Sequence, residues 1–221
     1  MYIDLPDLGV LTTFDDALRE APVDADVLAR AVEKASVLLA EACLQGEDAT
    51  RVRLLGYLGN ACRVLGRHDE AVAALAKAVT LARGGGDDRA SLVNRLRLGE
   101  ARKYRGDVTE AEAIFRQALR DAQQNDNLTD YRDFALQHLG KRRLEKGDAV
   151  EATLLLEQAL ELRRRRGDPR LIASTELALA RACAMLHQQV ERCDNGLRQC
   201  VIADHATVSV VGLRLRAYNR A

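Results

Sequence analysis

Apolar residues recur along the chain three and four positions apart, and short polar stretches interrupt them. One such run covers residues 54–65 and the next covers residues 71–81. Side chains at these intervals line one face of an α-helix. Glycine, aspartate and asparagine cluster at residues 84–88, 124–127 and 167–169, as expected for loops. The pattern therefore predicts an all-α chain built from pairs of short amphipathic helices.

A motif of small and apolar positions occurs three times. Each copy begins with a Leu-Gly pair. Counted from the glycine of this pair, a second glycine follows after 7 residues, an alanine after 12, and two further apolar residues after 16 and 19. The copies begin at Leu58, Leu98 and Leu139, which are 40 and 41 residues apart. A period of this length is typical of an array in which each helix pair buries its apolar face against the next pair.

The second glycine of each copy predicts the turn between its two helices. Glycine adopts the left-handed backbone conformation that ends a helix without a side-chain penalty. We expect this conformation at Gly66, Gly106 and Gly147. Asp107 and Asp148 follow as predicted N-caps with a glutamate three residues later, whereas Arg67 leaves the first copy poorly capped.

The flanks are weaker copies of the motif. Residues 13–45 predict a degenerate helix pair whose second helix runs from Asp24 to Leu44. At the other end, the first helix of a fourth copy is predicted, and His187 stands where the turn glycine would follow it. Residues 206–216 fit a short strand as readily as a helix. The predicted organisation is a degenerate N-terminal helix pair (1–50), repeats (51–187, divided as 51–87, 88–127, 128–168 and the single helix 169–187), and a C-terminal capping or tail segment (188–221).

The motif resembles the tetratricopeptide repeat, in particular the long-period repeats of kinesin light chains and bacterial regulatory proteins. A HEAT-type array has a similar period but does not supply the Gly-Asp turn. The resemblance implies an all-α, right-handed superhelical solenoid of stacked antiparallel helix pairs, with the first helices on the concave face. In this family, ligand contacts come mainly from positions 2, 5, 9, 12 and 13 of the first helices.

Carried onto this chain, those positions give a candidate peptide-binding set with apolar residues and both charge signs. Its members are Asn60, Arg63, Glu100, Lys103, Tyr104, Phe134, Gln137, Lys141 and Arg181. Amide and cationic groups of this kind hold a peptide by its backbone and acidic side chains. The alternative is that they are ordinary solvated residues. The carboxylate clamp of chaperone-binding members is not predicted, since only Asn60 matches it and Gly56, Arg97, Phe134 and His138 occupy its other positions.

Composition excludes several classes of function. The 33 basic and 33 acidic residues leave a net charge of zero, which argues against binding nucleic acid by bulk charge. The arginine run at 163–166 is expected to be a solvated helix end rather than a nucleic-acid patch. No apolar run is long enough to cross a bilayer, and no signal peptide is evident. Cys43, Cys62 and Cys183 are expected to be buried thiols in a reducing, cytoplasmic setting.

Nothing in the sequence indicates catalysis, a cofactor or a metal. The densest chemical cluster, at residues 187–205, has cysteine and histidine spacings that match no common zinc site. We therefore expect a non-enzymatic bacterial adaptor that binds a peptide or protein in the concave groove, with a possible homodimer through residues 188–221. The alternatives are a peptide-responsive regulatory sensor and, less favoured, a metal or thiol site in that C-terminal cluster.

Overall fold

The structure is a computed structural model that describes residues 4–15 and 19–196, with side chains as far as residue 190. Within these residues, short N-terminal elements precede a series of longer helices. The elements are α1 (Leu8–Leu11), β1 (Thr12–Phe14), β2 (Glu20–Pro22), α2 (Ala25–Gln45), α3 (Asp48–Val64), α4 (His68–Gly84), α5 (Asp88–Arg105), α6 (Val108–Gln124), a 3-10 helix (Asp126–Tyr131), α7 (Arg132–Glu145), α8 (Ala149–Arg166) and α9 (Pro169–Gly196).

The helices stack as consecutive pairs. The helices α3 and α4, α5 and α6, and α7 and α8 pack within their pairs, and α4 on α5, α6 on α7, and α8 on α9 join one pair to the next. Three clusters of buried apolar side chains follow this order along the stack. The predicted all-α solenoid of helix pairs is confirmed.

Small residues allow the paired helices to approach closely. At Gly59, Gly99 and Gly140 an added methyl group would overlap a side chain of the second helix of the same pair. The side chains it would meet are Leu75, Phe115 and Leu156, which are at most 2% exposed and have little room to move. The Leu-Gly step of the motif is therefore a packing requirement.

The predicted turn chemistry holds at the glycines and at one of the two caps. Gly66, Gly106 and Gly147 have φ angles of 77°, 109° and 79°, in the left-handed region. The Asp148 carboxylate accepts a hydrogen bond of 3.1 Å from the Glu151 N–H, as expected of an N-cap. Asp107 is the N-cap residue of α6, as predicted, but its side chain makes no capping bond. It pairs with a neighbouring arginine instead.

The N-terminal prediction is half right. The helix expected from Asp24 to Leu44 is α2, with Asp24 as its N-cap. The expected helix before it is absent from the described residues, where β1 and β2 form an antiparallel hairpin. Thr12 and Thr13 are β-branched and favour extended backbone, and Pro22 disfavours helix at the residue before it.

The predicted boundary at residue 187 is also wrong. The helix α9 passes through His187 and continues to Gly196, because no glycine in the left-handed conformation ends it there. The predicted strand or helix at 206–216 lies outside the described residues. The same holds for the cysteine side chains of the C-terminal cluster and for most of the segment expected to mediate a homodimer.

Two expectations about side chains need correction. Cys62 is buried, Cys183 is half-buried and Cys43 is exposed. The arginine run is not a uniformly solvated helix end, since Arg163 is buried and its Nε lies 2.8 Å from a carboxylate oxygen of Asp133, also buried. Its Nη1 donates to the Thr175 hydroxyl at 2.6 Å, so this arginine ties α8 to α7 and α9.

Candidate functional site

The first helices α3, α5, α7 and α9 line one side of the stack, which we call the groove. The helix α3 contacts α5 directly, and α7 contacts α9. Two cavities open along this side. The first, here the N-terminal cavity, has a volume of about 670 Å³ and lies between α3 and α5. The second, here the central cavity, has a volume of about 390 Å³ and lies between α5, α7 and α9.

The chain's own N-terminal segment lies in the groove. This segment, of which the structure describes residues 4–15 and 19–22, is called the strap below. Residues 5–9 and Glu20 line the N-terminal cavity, and Arg19 lines the central cavity. Three leucines of the strap pack against the first apolar cluster of the stack. The surface that the resemblance assigns to ligand binding is therefore partly covered by the same chain.

Polar contacts fasten the strap at several points. The Tyr57 hydroxyl of α3 donates to the Pro6 carbonyl at 3.1 Å, and Lys34 of α2 pairs with Asp4 at 2.8 Å. At the far end of the stack, the Arg170 guanidinium donates to the carbonyls of Gly9 and Thr12. The strap thus bridges α2 and the beginning of α9.

Arg63 is the principal anchor of the strap. Its side chain is 1% exposed and is paired with the Glu20 carboxylate, which is 23% exposed. It also donates to the Asn60 side-chain oxygen at 2.7 and 3.1 Å, and its Nε lies 3.4 Å from a Glu100 carboxylate oxygen. One predicted ligand residue, Arg63, therefore already holds a carboxylate within the chain, and another, Asn60, accepts hydrogen bonds from it.

Arg97 is a cation that lines the N-terminal cavity, as Arg53 and Arg89 do, and it neighbours Arg63. Burial and the neighbouring Arg63 lower the pKa of this half-buried arginine, and the Glu20 and Glu100 carboxylates only partly oppose them. Among the residues that the structure describes, none accepts a hydrogen bond from the Arg97 guanidinium or forms an ion pair with it. Beside it, the buried Asn94 side-chain oxygen has no hydrogen-bond donor. Both groups face the cavity.

The central cavity gathers most of the predicted residues. Its lining includes Glu100, Lys103, Tyr104, Lys141 and Arg181. Lys103 pairs with Glu145 at 2.5 Å and lies 5.7 Å from the centre of the Tyr104 ring. A surface with cations, a carboxylate and an aromatic ring suits a polar peptide segment.

The charges around the central cavity shift one another's pKa. Burial alone would raise the pKa of Glu100, but Arg63 and the cations of α5 and α7 lower it to about 2. Burial lowers the pKa of His138 to about 4, assisted by Lys141 and Lys103. Burial also lowers the pKa of Lys141, to about 8, against the attraction of Glu100. At neutral pH, Glu100 is therefore charged and His138 is neutral.

Besides Arg63, two predicted residues do not line either cavity. Gln137 is 5% exposed and donates to the Ser174 hydroxyl at 3.1 Å, so it ties α7 to α9. Phe134 packs against the second apolar cluster, with the Arg163 and Arg166 guanidinium groups 5.1 and 5.6 Å from its ring centre. Both side chains belong to helix packing.

Sequence reasoning predicted Arg63 but missed the strap and two further arginines beside it, Arg97 and Arg170. Glu20 and Arg170 lie outside the repeat positions from which ligand residues are transferred, and Arg97 occupies repeat position 6, which is not one of them. Two threonines followed by a phenylalanine, with proline at residue 22, carry the one local signal of a hairpin. No local pattern shows that this hairpin reaches α9.

Other kinds of site find little support in the described part of the chain. There, no group of three or more histidine, cysteine, aspartate or glutamate side chains is placed to hold a metal ion. Among the helices described, none has the length and apolar character that a membrane crossing requires.

Comparison with known proteins identifies the repeats. Residues 50–124 match the tetratricopeptide repeat family. The match covers α3 to α6, the two helix pairs that form the N-terminal cavity and one wall of the central cavity, and it confirms the resemblance there. None of the curated proteins compared with the chain matches it. Tetratricopeptide repeats mediate protein–protein interactions and are typically non-catalytic. The long-period subtype stays a prediction.

Proposed function

We propose that the chain is a non-enzymatic interaction module that binds a peptide or protein segment in its groove. The observation that carries this proposal is the central cavity, where three first helices bring together five of the nine predicted ligand residues. The match to tetratricopeptide repeats supports the general mode of action. The cytoplasmic location, the bacterial origin and the alternative role as a peptide-responsive sensor stay predictions.

A displayed peptide library tests the proposal. Peptides selected on the wild-type chain are expected to bind at least about ten-fold more weakly to a Lys141→Ala/Arg181→Ala variant, since each charge-assisted contact contributes about 1.5 to 3 kcal/mol. Asn60→Ala is avoided, because Asn60 supports buried Arg63.

The matched control is Lys77→Ala/Arg120→Ala. It removes two exposed cations from the second helices α4 and α6 and so changes the net charge equally, away from the groove. Peptide affinities measured by fluorescence anisotropy should be unchanged in this control. Equal losses in both variants, or none in either, would contradict binding at the central cavity.

A further inference from the structure

We propose that the strap is an exchangeable occupant of the groove, and that the partner which replaces it is an acidic protein segment whose carboxylates pair with Arg63 and Arg97. This inference rests on the proposed function and specifies the chemistry of the ligand. Three observations carry it: the shallow burial of the strap, the kind of contacts that hold it, and the charge of the cavity beneath it.

The strap is shallowly buried for a segment that crosses the stack. Among its described residues only Thr12 is fully buried, and Leu5, Leu8 and Leu11 are half-buried. Segments with few buried apolar contacts open at a small fraction of the free energy of global unfolding. The strap can therefore leave the groove while the helix pairs stay folded.

Several contacts that hold the strap do not depend on its side chains. Tyr57 and Arg170 donate to the main-chain carbonyls of Pro6, Gly9 and Thr12. Every residue of a partner segment supplies a main-chain carbonyl, so a partner with carbonyls at these positions makes the same hydrogen bonds in place of the strap. Glu20 is the side chain through which the strap meets the buried cation Arg63.

The Arg97 guanidinium in the N-terminal cavity favours an occupant that places a carboxylate against it. The Glu20 carboxylate pairs with Arg63, but Arg97 has no hydrogen bond or ion pair to a described residue. Cations withdrawn from water favour an anion in contact with them. A segment that places a carboxylate against Arg97 would pair with it as well, and its N–H groups could donate to the Asn94 oxygen. This extra pairing would let it displace the strap.

Exchange is tested on the full chain with a fluorescein-labelled synthetic peptide of residues 4–22. In the wild-type chain the tethered strap competes at a high effective concentration, so the peptide binds weakly. Glu20→Gln in the chain weakens this competitor, and the peptide is expected to bind about five-fold more tightly, the factor for one weakened charge-assisted hydrogen bond. Glu33→Gln, an exposed change on α2, should leave the affinity at the wild-type value.

An affinity that is unchanged or lower in the Glu20→Gln chain would overturn exchange. Hydrogen exchange on the wild-type chain gives a second measurement that needs no variant. The Asp15 and Val23 amides, which donate to Arg19 and Leu11 carbonyls at 2.9 Å, should exchange by local opening, much faster than core amides of α3. Exchange of these two amides only by global unfolding would make the strap a permanent part of the fold.

The acidic preference is tested with two peptides that differ by one charge. Pro6 is exposed and lines the N-terminal cavity, so a Pro6→Glu peptide adds one carboxylate to those of Asp7 and Glu20 there, while a Pro6→Gln peptide does not. The Glu20→Gln chain should prefer the Pro6→Glu peptide about three-fold. Adding Arg97→Gln to that chain should abolish the preference. Equal affinities for the two peptides in the Glu20→Gln chain would refute an acidic ligand.

These outcomes separate the inference from the function on which it rests. If the strap peptide fails to bind but library peptides bind and are lost in the Lys141→Ala/Arg181→Ala variant, the groove is a binding site and the strap is a fixed element. If library peptides also fail, the proposed function itself is wrong.

Discussion

Two buried arginines, Arg163 and Arg63, face carboxylates in different settings. The side chains of Arg163 and Asp133 are each 1% exposed, and both belong to the stacked helices. Arg63 is equally buried, but its closest carboxylate is on the strap and is 23% exposed. The first pair is enclosed by helix packing, whereas the second is closed by a segment that water reaches. The same chemistry therefore serves the fold at one place and, in our proposal, recognition at the other.

The largest expected effect is at the enclosed pair. Asp133→Asn leaves the buried Arg163 without a counter-charge and should lower the free energy of unfolding by about 3 to 5 kcal/mol. Urea denaturation measures this loss. Asp130→Asn is the control, because Asp130 is exposed and its pair with Arg89 is long, at 4.0 Å. Replacing the buried pair, by Asp133→Leu with Arg163→Met, should recover most of the stability, since the other partner of Asp133, Arg166, is 35% exposed and can be solvated. A single variant as stable as wild type would contradict an enclosed pair.

The next largest loss of stability is expected from crowding the close contact between α3 and α4 at Gly59. Gly59 lies on the same helix as Arg63, and Gly59→Ala would force its methyl group into the buried Leu75 side chain. We expect a loss of about 1 to 3 kcal/mol from overpacking, seen as a lower melting temperature. Gly84→Ala is the matched control, because no atom lies within 4 Å of the added group. Equal melting temperatures for the two variants would show that the helix pair has room to spread.

The repeats were predictable because their signals are local. Helical spacing, the left-handed glycines and the Asp148 cap all act within one or two turns of the chain. The pairing of Arg163 with Asp133 spans 30 residues. A local pattern does not show such a partner, so an arginine in the last turn of a helix is predicted to be solvated. The strap was missed for the same reason, since its contacts with Arg170 span about 160 residues. Asp107 satisfied the capping pattern, but Arg105 pairs with its carboxylate.

The next effect is a loss of stability at acidic pH, caused by His138 beside the central cavity. His138 has a folded-state pKa of about 4, below the 6.5 of an exposed histidine, so the unfolded chain binds more protons between these values. Stability should therefore fall as pH drops from 6.5 towards 4, by about 1 to 2 kcal/mol between pH 7 and 5.

His138→Phe keeps the stacking on Phe115, where the ring centres are 4.5 Å apart, and should remove this loss. Denaturant midpoints at pH 7 and pH 5 measure it in both proteins. Glu100, with a pKa of about 2, adds a further loss only below about pH 4.5, so it does not interfere in this range. A pH dependence that survives in the variant would assign the loss to other groups.

The smallest effect is at the pair on the strap. Glu20→Gln should cost about 1 kcal/mol, because Arg63 keeps Glu100 and Asn60 and the carboxylate is partly in water. Salt screens a pair that water reaches far more than an enclosed one. The cost of Glu20→Gln should therefore shrink towards zero in 0.5 M NaCl, while the cost of Asp133→Asn stays nearly constant. If salt reduced both costs by the same fraction, the two arginines would share one environment, and the contrast between fold and recognition would fail.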